Sequence, residues 1–170
     1  PATLQALDPV TGRELWRYDK ATPIAYIEWP DVFAIGDTIW LPDRKMMNLI
    51  GLDAATGEEK TVHSIRKALD VGHHHRCYPN RASVNFAVLG RRGAEFVDLK
   101  TGELTLHHWL RTGCRSGHVL GNGLLYRPPD HCQCYMGFQP RGFLALSGES
   151  AKVSGFSVQV SGKANPVADT

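Results

Sequence analysis

Short apolar runs alternate with polar turns along most of this chain. Residues 32–41 form two apolar runs around a Gly-Asp turn, and residues 122–126 place a similar run after an Asn-Gly turn. Runs of this length, bounded by Gly, Asp and Asn, are typical of antiparallel strands joined by tight turns. The pattern therefore predicts an all-β chain, with a single helical turn expected around residues 64–69.

One motif returns at a fixed interval: an apolar residue, then Asp, then Thr-Gly beginning three residues later. Its copies occupy residues 6–14, 51–59 and 96–104, so successive copies start 45 residues apart. A degraded fourth copy, with Ser-Gly and no Asp, follows at residues 143–148. A period of about 40–50 residues built from short strands is typical of the blades of a β-propeller.

The residue types of this motif suit a tight turn between two strands. A short Asp side chain can accept hydrogen bonds from backbone N–H groups two or three residues ahead, which closes such a turn. Glycine supplies the positive φ that lets the next strand double back. We therefore expect a structural role for six motif residues. They are Asp8, Gly12, Asp53, Gly57, Asp98 and Gly102.

Each repeat is long enough for four strands, which we call A to D from the propeller axis outward. The motif turns join strand C to strand D, and together with the A-to-B turns they define one face of the propeller, the turn face. Because successive turns alternate between the two faces, the D-to-A links and the B-to-C loops lie on the opposite face, the link face. The D-to-A links also enter beside the axis.

The length of the chain bounds how much of a propeller it forms. At 45 residues per repeat, 170 residues hold fewer than four full blades, whereas closed propellers usually have four to eight. We expect a segment of about four four-stranded blades over residues 1–162, with a tail at 163–170. The remaining blades of a seven- or eight-bladed propeller in a longer chain are its expected partners. The expected C-to-D turns lie near residues 8–12, 53–57, 98–102 and 146–148.

Composition argues against two classes of partner. A net charge of +2 with 21% charged residues is ordinary for a globular domain, so a nucleic-acid partner is not expected. No apolar run reaches the 18 or more residues that a membrane-spanning helix needs.

The spacing Ala6-x-Asp8-x-x-Thr11-Gly12-x-x-x-Trp16 resembles the blade motif of pyrroloquinoline-quinone (PQQ)-like propellers. That family includes the quinoprotein alcohol dehydrogenases and the scaffold proteins of outer-membrane assembly. The resemblance covers residues 4 to about 148, roughly four fifths of the chain. It implies the propeller fold and says almost nothing about activity.

In the PQQ-like family the motif tryptophan packs onto the neighbouring blade, so the resemblance implies a blade-docking role for Trp16. The equivalent positions of the next two copies hold Thr61 and Leu106. The other three tryptophans are also expected to pack between blades, as large aromatic side chains commonly do. They are Trp29, Trp40 and Trp109.

Residues 72–78 and 122–135 resemble segments of an uncharacterised bacterial group of PQQ-like repeat proteins. Members of that group look exported, which implies a periplasmic or extracellular location for this protein. This resemblance implies no substrate.

Chain direction places all four cysteines and five of the eight histidines on the link face, and three interpretations of this cluster stay open. An exported protein usually oxidises its cysteines, and Cys77 with Cys114 is the favoured disulfide because both precede an inner strand in neighbouring blades. A Zn²⁺ or Cu site is the second interpretation, since thiolate and imidazole suit both metals. Its candidate ligands are Cys114, His118, His131, Cys132 and Cys134. Free, buried or redox-active thiols are the third.

The link face also carries candidate residues for an anionic or sugar-like ligand. Arginine binds carboxylates through a planar, bidentate fork, and aromatic faces suit sugars or quinones. Of three successive histidines on an extended strand, at most two can share a ligand. The candidates are His73, His74, Arg76, Tyr78, Arg81, Arg115 and Tyr135. Loop anchoring by salt bridges and packing is the alternative role for the arginines and tyrosines.

Two functional hypotheses follow. The first is a non-catalytic binding or scaffold module of an exported protein, with a small-molecule, carbohydrate or protein ligand on the link face. The alternative is an enzyme, either a PQQ-dependent dehydrogenase or a metal-dependent enzyme acting on carbohydrate. The first is favoured because the chain lacks an adjacent Cys-Cys pair, and Asp130, the one acidic residue among the link-face motifs, does not make a Ca²⁺ cage. PQQ is therefore expected only under the alternative.

Overall fold

The structure is a computed structural model that describes residues 2–21, 31–43, 45, 47–69, 79–90, 92–113, 116–129 and 141–148. Regular structure within those residues is almost entirely β. The strands are β1 (Ala2–Leu7), β2 (Glu14–Ala21), β3 (Phe33–Ile35), β4 (Thr38–Pro42), β5 (Asn48–Asp53), β6 (Glu59–Ser64), β7 (Arg81–Ala82), β8 (Phe86–Leu89), β9 (Ala94–Asp98), β10 (Leu104–His107), β11 (Val119–Gly121), β12 (Leu124–Arg127) and β13 (Leu144–Ser147). A short 3₁₀ helix, Arg66–Leu69, lies where the sequence predicts a helical turn.

The strands form four antiparallel sheets in chain order, which we number blades 1 to 4. Blade 1 contains β1 and β2, blade 2 contains β3 to β6, blade 3 contains β7 to β10, and blade 4 contains β11 to β13. In blades 2 and 3 the four strands pair consecutively, as the expected A-to-D order requires. Among the described residues, blade 1 shows strands C and D, and blade 4 shows strands A to C.

Tight turns set the register of each sheet. The turn between β11 and β12 has a positive φ at both central residues, 52° at Asn122 and 73° at Gly123. A two-residue hairpin turn of this kind matches the natural twist of its strands. The resulting register sets Leu125 opposite Leu120 on one side and Leu146 on the other. A single apolar row therefore crosses the sheet.

The apolar core lies between successive sheets. Tyr18 of blade 1 packs with Leu41 and Leu52 of blade 2. The other two interfaces are built in the same way. Blade 2 meets blade 3 through Trp40, Leu49, Ile65, Ala68, Ala87, Leu89, Val97 and Leu99, and blade 3 meets blade 4 through Val88, Ala94, Leu110 and Leu125. Because fully burying one large apolar side chain contributes about 1.5–3 kcal/mol, each blade depends on its neighbours for stability.

Consecutive antiparallel sheets of up to four strands, packed face to face at a 45-residue period, have the architecture of propeller blades. The chain is a segment of a β-propeller. The prediction of an all-β propeller segment is confirmed. The division into residues 1–162 and a tail at 163–170 stays a prediction, because residues 149–170 lie outside the described part of the chain.

The tryptophans do not all behave as expected. Trp40 is buried between blades 2 and 3, in agreement with the sequence. Trp109 is 50% exposed, so the expectation that it packs between blades is wrong. It lies in the turn that follows β10, where the pleat of the strand no longer directs the side chain toward a neighbouring sheet. Trp29 lies outside the described residues.

Candidate functional site: the link face

The motif residues of the turn face shape the turns themselves. The carboxylates of Asp8, Asp53 and Asp98 each accept hydrogen bonds from the backbone N–H groups two and three residues ahead, at 2.8–3.0 Å. These bonds lower the pKa of all three carboxyl groups, since the N–H donors favour the charged form. The motif glycines that follow have φ angles of 70°, 76° and 76°. They are Gly12, Gly57 and Gly102.

Trp16 joins blade 1 to the motif turn of blade 2. Its Nε1–H donates to the carbonyl oxygen of Ala54 at 3.0 Å. A Cβ atom on Gly57 would lie 2.7 Å from the indole ring, closer than real Cβ atoms approach, so the contact requires glycine. The structure thus gives Trp16 the contacts of a blade-docking residue.

The link face differs from the turn face because its polar side chains are buried. Six polar or charged residues of the described chain are buried, and each lies in a D-to-A link, in a B-to-C loop or at a strand end on this face. They are Asn80, Glu95, Arg111, Thr112, His118 and Arg127. Burying polar groups costs free energy unless they are hydrogen-bonded, so the link-face ends of the blades depend on the hydrogen bonds that these side chains make.

Asn80 joins the link-face ends of blades 2 and 3. Its Oδ1 accepts a hydrogen bond from the N–H of Gly90 at 2.7 Å, and its Nδ2 donates to Oδ2 of Asp31 at 3.0 Å. Gly90 follows strand B of the same blade, whereas Asp31 precedes strand A of blade 2. One side chain therefore ties its own blade to the preceding one beside the axis.

Arg81 joins blades 3 and 4 in a comparable way. Its Nε donates to the carbonyl oxygen of His118 at 3.0 Å, and one terminal nitrogen lies 3.4 Å from the carbonyl oxygen of Ser116. The strand registers place Arg81 where the neighbouring blades have Phe33 and Val119. The fold thus accepts an apolar residue at this position, yet blade 3 has a half-buried guanidinium there.

His118 is held as a neutral imidazole inside the link before β11. Its Nε2 lies 3.0 Å from the carbonyl oxygen of Leu110, and since a carbonyl only accepts, Nε2 carries the proton. Burial, with smaller contributions from Arg127 and Arg81, lowers the pKa of His118 to about 4, against the opposing effect of the Leu110 carbonyl. In this arrangement only Nδ1 of His118 could act as a metal ligand.

Two further buried ionisable side chains, Arg127 and Glu95, hold the ends of B-to-C loops. Arg127 donates from Nε to the carbonyl oxygen of Arg111 at 2.7 Å and from a terminal nitrogen to that of Gly142 at 2.9 Å. Glu95 accepts from the N–H of Gly93 at 2.8 Å. Glu95 and Ile50 both stand three residues before a motif Asp. A carboxylate at a position that is apolar in the previous copy is a sequence signal that could have revealed Glu95.

Most of the predicted site residues lie outside the described part of the chain. Of the candidates for ligand, metal or disulfide, the structure describes Arg81 and His118, which share the contact given above. The others keep the status of predictions. They are His73, His74, Arg76, Cys77, Tyr78, Cys114, Arg115, His131, Cys132, Cys134 and Tyr135. Among the residues that the structure describes, no three His, Cys, Asp or Glu side chains form a metal-binding group.

No family model matches the chain, and no curated protein matches it. Solved structures do match. BamB from Moraxella catarrhalis aligns with a TM-score of 0.47 and 18% identity over 74% of this chain. Quinohemoprotein alcohol dehydrogenase from Comamonas testosteroni aligns with a TM-score of 0.45 and 15% identity, also over 74% of this chain. The alignments span 36% and 26% of those two proteins. The propeller fold of this chain rests on its own sheets and cores.

In the part of the chain that the structure describes, no helix has the length and apolar character of a membrane span.

Proposed function

We propose that this chain is a binding or scaffold module of a longer propeller and that its link face carries the ligand site. The observation that supports this most directly is the confinement of the buried polar side chains to that face. Their hydrogen bonds tie three successive blades together beside the axis, from Asp31 through Asn80 to Arg81 and His118. Binding residues on loops work best when a rigid scaffold positions them. The buried polar side chains of the link face supply such a scaffold for the predicted Cys/His-rich loops.

The proposed ligand carries a carboxylate or another planar anion. Arg81 is half-buried, and its described hydrogen bonds go to backbone carbonyls, which orient the guanidinium without neutralising its charge. A fixed, partly exposed guanidinium is well suited to bidentate recognition of a carboxylate.

An exported location, periplasmic or extracellular, belongs to the same proposal. It is supported by the resemblance of residues 72–78 and 122–135 to segments of a bacterial group whose members look exported.

Ligand-induced thermal stabilisation of the full-length protein tests the proposal. The probe is glucuronate, which combines a sugar ring with a carboxylate, and glucose is its neutral counterpart. We expect glucuronate to raise the melting temperature more than glucose does. This difference should vanish in Arg81→Gln and persist in Arg17→Gln, which removes an exposed arginine on the outer strand of blade 1. Equal effects of the two sugars, or a difference that survives Arg81→Gln, would contradict the anion site.

A further inference from the structure

Two blade interfaces of this chain are closed by the same kind of contact from different residues. Trp16 of blade 1 donates its Nε1–H to the carbonyl oxygen of Ala54 at 3.0 Å. His63 of blade 2 has its Nε2 at 2.9 Å from the carbonyl oxygen of Leu99. Ala54 and Leu99 each come directly after the motif Asp of the next blade. The two donors therefore reach equivalent acceptors.

The packing of the two rings is equivalent as well. The Trp16 indole lies against Gly57, and the His63 imidazole lies against Gly102, so that a Cβ atom on either glycine would collide with the ring. Both glycines have a φ of 76°. The same motif turn thus provides a carbonyl acceptor and a flat glycine surface in both interfaces.

Strand geometry explains how a different position can fill the same place. Trp16 stands eight residues after Asp8, whereas His63 stands ten residues after Asp53. Positions two apart on a strand point to the same face, so His63 faces blade 3 just as Thr61, at the tryptophan position, does.

We propose that His63 is the docking residue of the interface between blades 2 and 3, in place of the tryptophan that docks blade 1 to blade 2. The imidazole must carry its proton on Nε2, because the Leu99 carbonyl can only accept. The His63 ring also stacks on Trp40, with ring centroids 5.4 Å apart and planes 13° from parallel. The contact closes the turn-face end of an interface whose link-face end is tied by Asp31 and Asn80. It stands independently of any ligand on the link face.

Nitrogen NMR of the full-length protein, labelled at histidine, tests the tautomer directly. At pH 8 the His63 signal is expected to show a protonated Nε2 and an unprotonated Nδ1, with the Nε2 proton protected from exchange with water. The signal is assigned by its loss in His63→Gln. A protonated Nδ1, or a fully mobile mixture of tautomers, would overturn the proposal.

Placing a tryptophan on β6 tests whether the Trp16 and His63 contacts are equivalent. His63→Ala should lower the melting temperature by roughly 3–8 °C, while Val62→Ala, on the solvent-facing side of the same strand, should leave it nearly unchanged. Adding Thr61→Trp to His63→Ala places tryptophan eight residues after Asp53, as Trp16 follows Asp8. This double variant should recover at least half of the loss. A double variant no more stable than His63→Ala would refute the equivalence.

Discussion

At the scale of single residues, the buried imidazole of His118 makes the stability of the fold depend on pH. Its pKa is about 4 in the folded chain and near 6.5 when exposed, so the unfolded chain binds more protons between these values. The contribution of His118 to the free energy of unfolding is therefore largest above pH 6.5. It decreases as the pH falls toward 4, by up to about 3 kcal/mol. Urea unfolding of the full-length protein at pH 7 and pH 4.5, with a chelator present, measures this decrease.

The matched variant is His118→Gln, whose amide can still donate to the Leu110 carbonyl but cannot titrate in this range. We expect it to be less stable than the parent at pH 7 and to lose less stability on acidification. If the variant and the parent lose the same stability between pH 7 and pH 4.5, the burial and charge argument for His118 is wrong.

At the scale of the repeating element, two glycines in equivalent turns allow backbone strain and blade packing to be separated. Gly12 and Gly57 have φ angles of 70° and 76°, but a Cβ atom at Gly12 would meet nothing within 4 Å, whereas one at Gly57 would meet the Trp16 ring at 2.7 Å. Gly12→Ala therefore carries only the strain of its φ, about 1 kcal/mol. Gly57→Ala should cost roughly 1–3 kcal/mol more, because the indole must move.

The free energies of unfolding of the two variants, measured by urea denaturation, give the comparison. Equal losses would mean that the Trp16 contact adds nothing to the requirement for glycine. A larger loss in Gly12→Ala than in Gly57→Ala would contradict the whole account of the turn.

The elements themselves were predictable because strand and turn chemistry is local. Asp-x-x-Thr-Gly specifies a turn through bonds within five residues, and it therefore survives as a readable motif. The dock made by His63 was not predictable in this way, because any side chain two positions along the strand that can reach the next turn satisfies the same acceptor. Exposure of Trp109 was missed for a related reason, since the sequence does not show where β10 leaves the sheet.

At the scale of the whole molecule, the alternation of successive turns between the two faces is enough to place Arg81 and the link before β11 on the link face. The face on which a turn lies follows from counting the strands before it, so this prediction needs no knowledge of packing. It could not show that Arg111 and Arg127 would be buried, because charged side chains are almost never fully buried without partners that only the fold brings together. The sequence therefore predicted which residues lie on the link face, but it did not predict that some of them are buried and hydrogen-bonded to one another's blades.

The same topology gives a prediction for the cysteines. Cys77 and Cys114 precede β7 and β11, the inner strands of neighbouring blades, and Arg81 ties the bases of the two links together through His118. A disulfide needs Cα atoms about 4.4–6.8 Å apart. Peptide mapping of the non-reduced full-length protein should find Cys77 joined to Cys114, with metal analysis of the same sample showing no stoichiometric zinc or copper. One bound metal per chain with all four thiols reduced would replace the disulfide by the metal site.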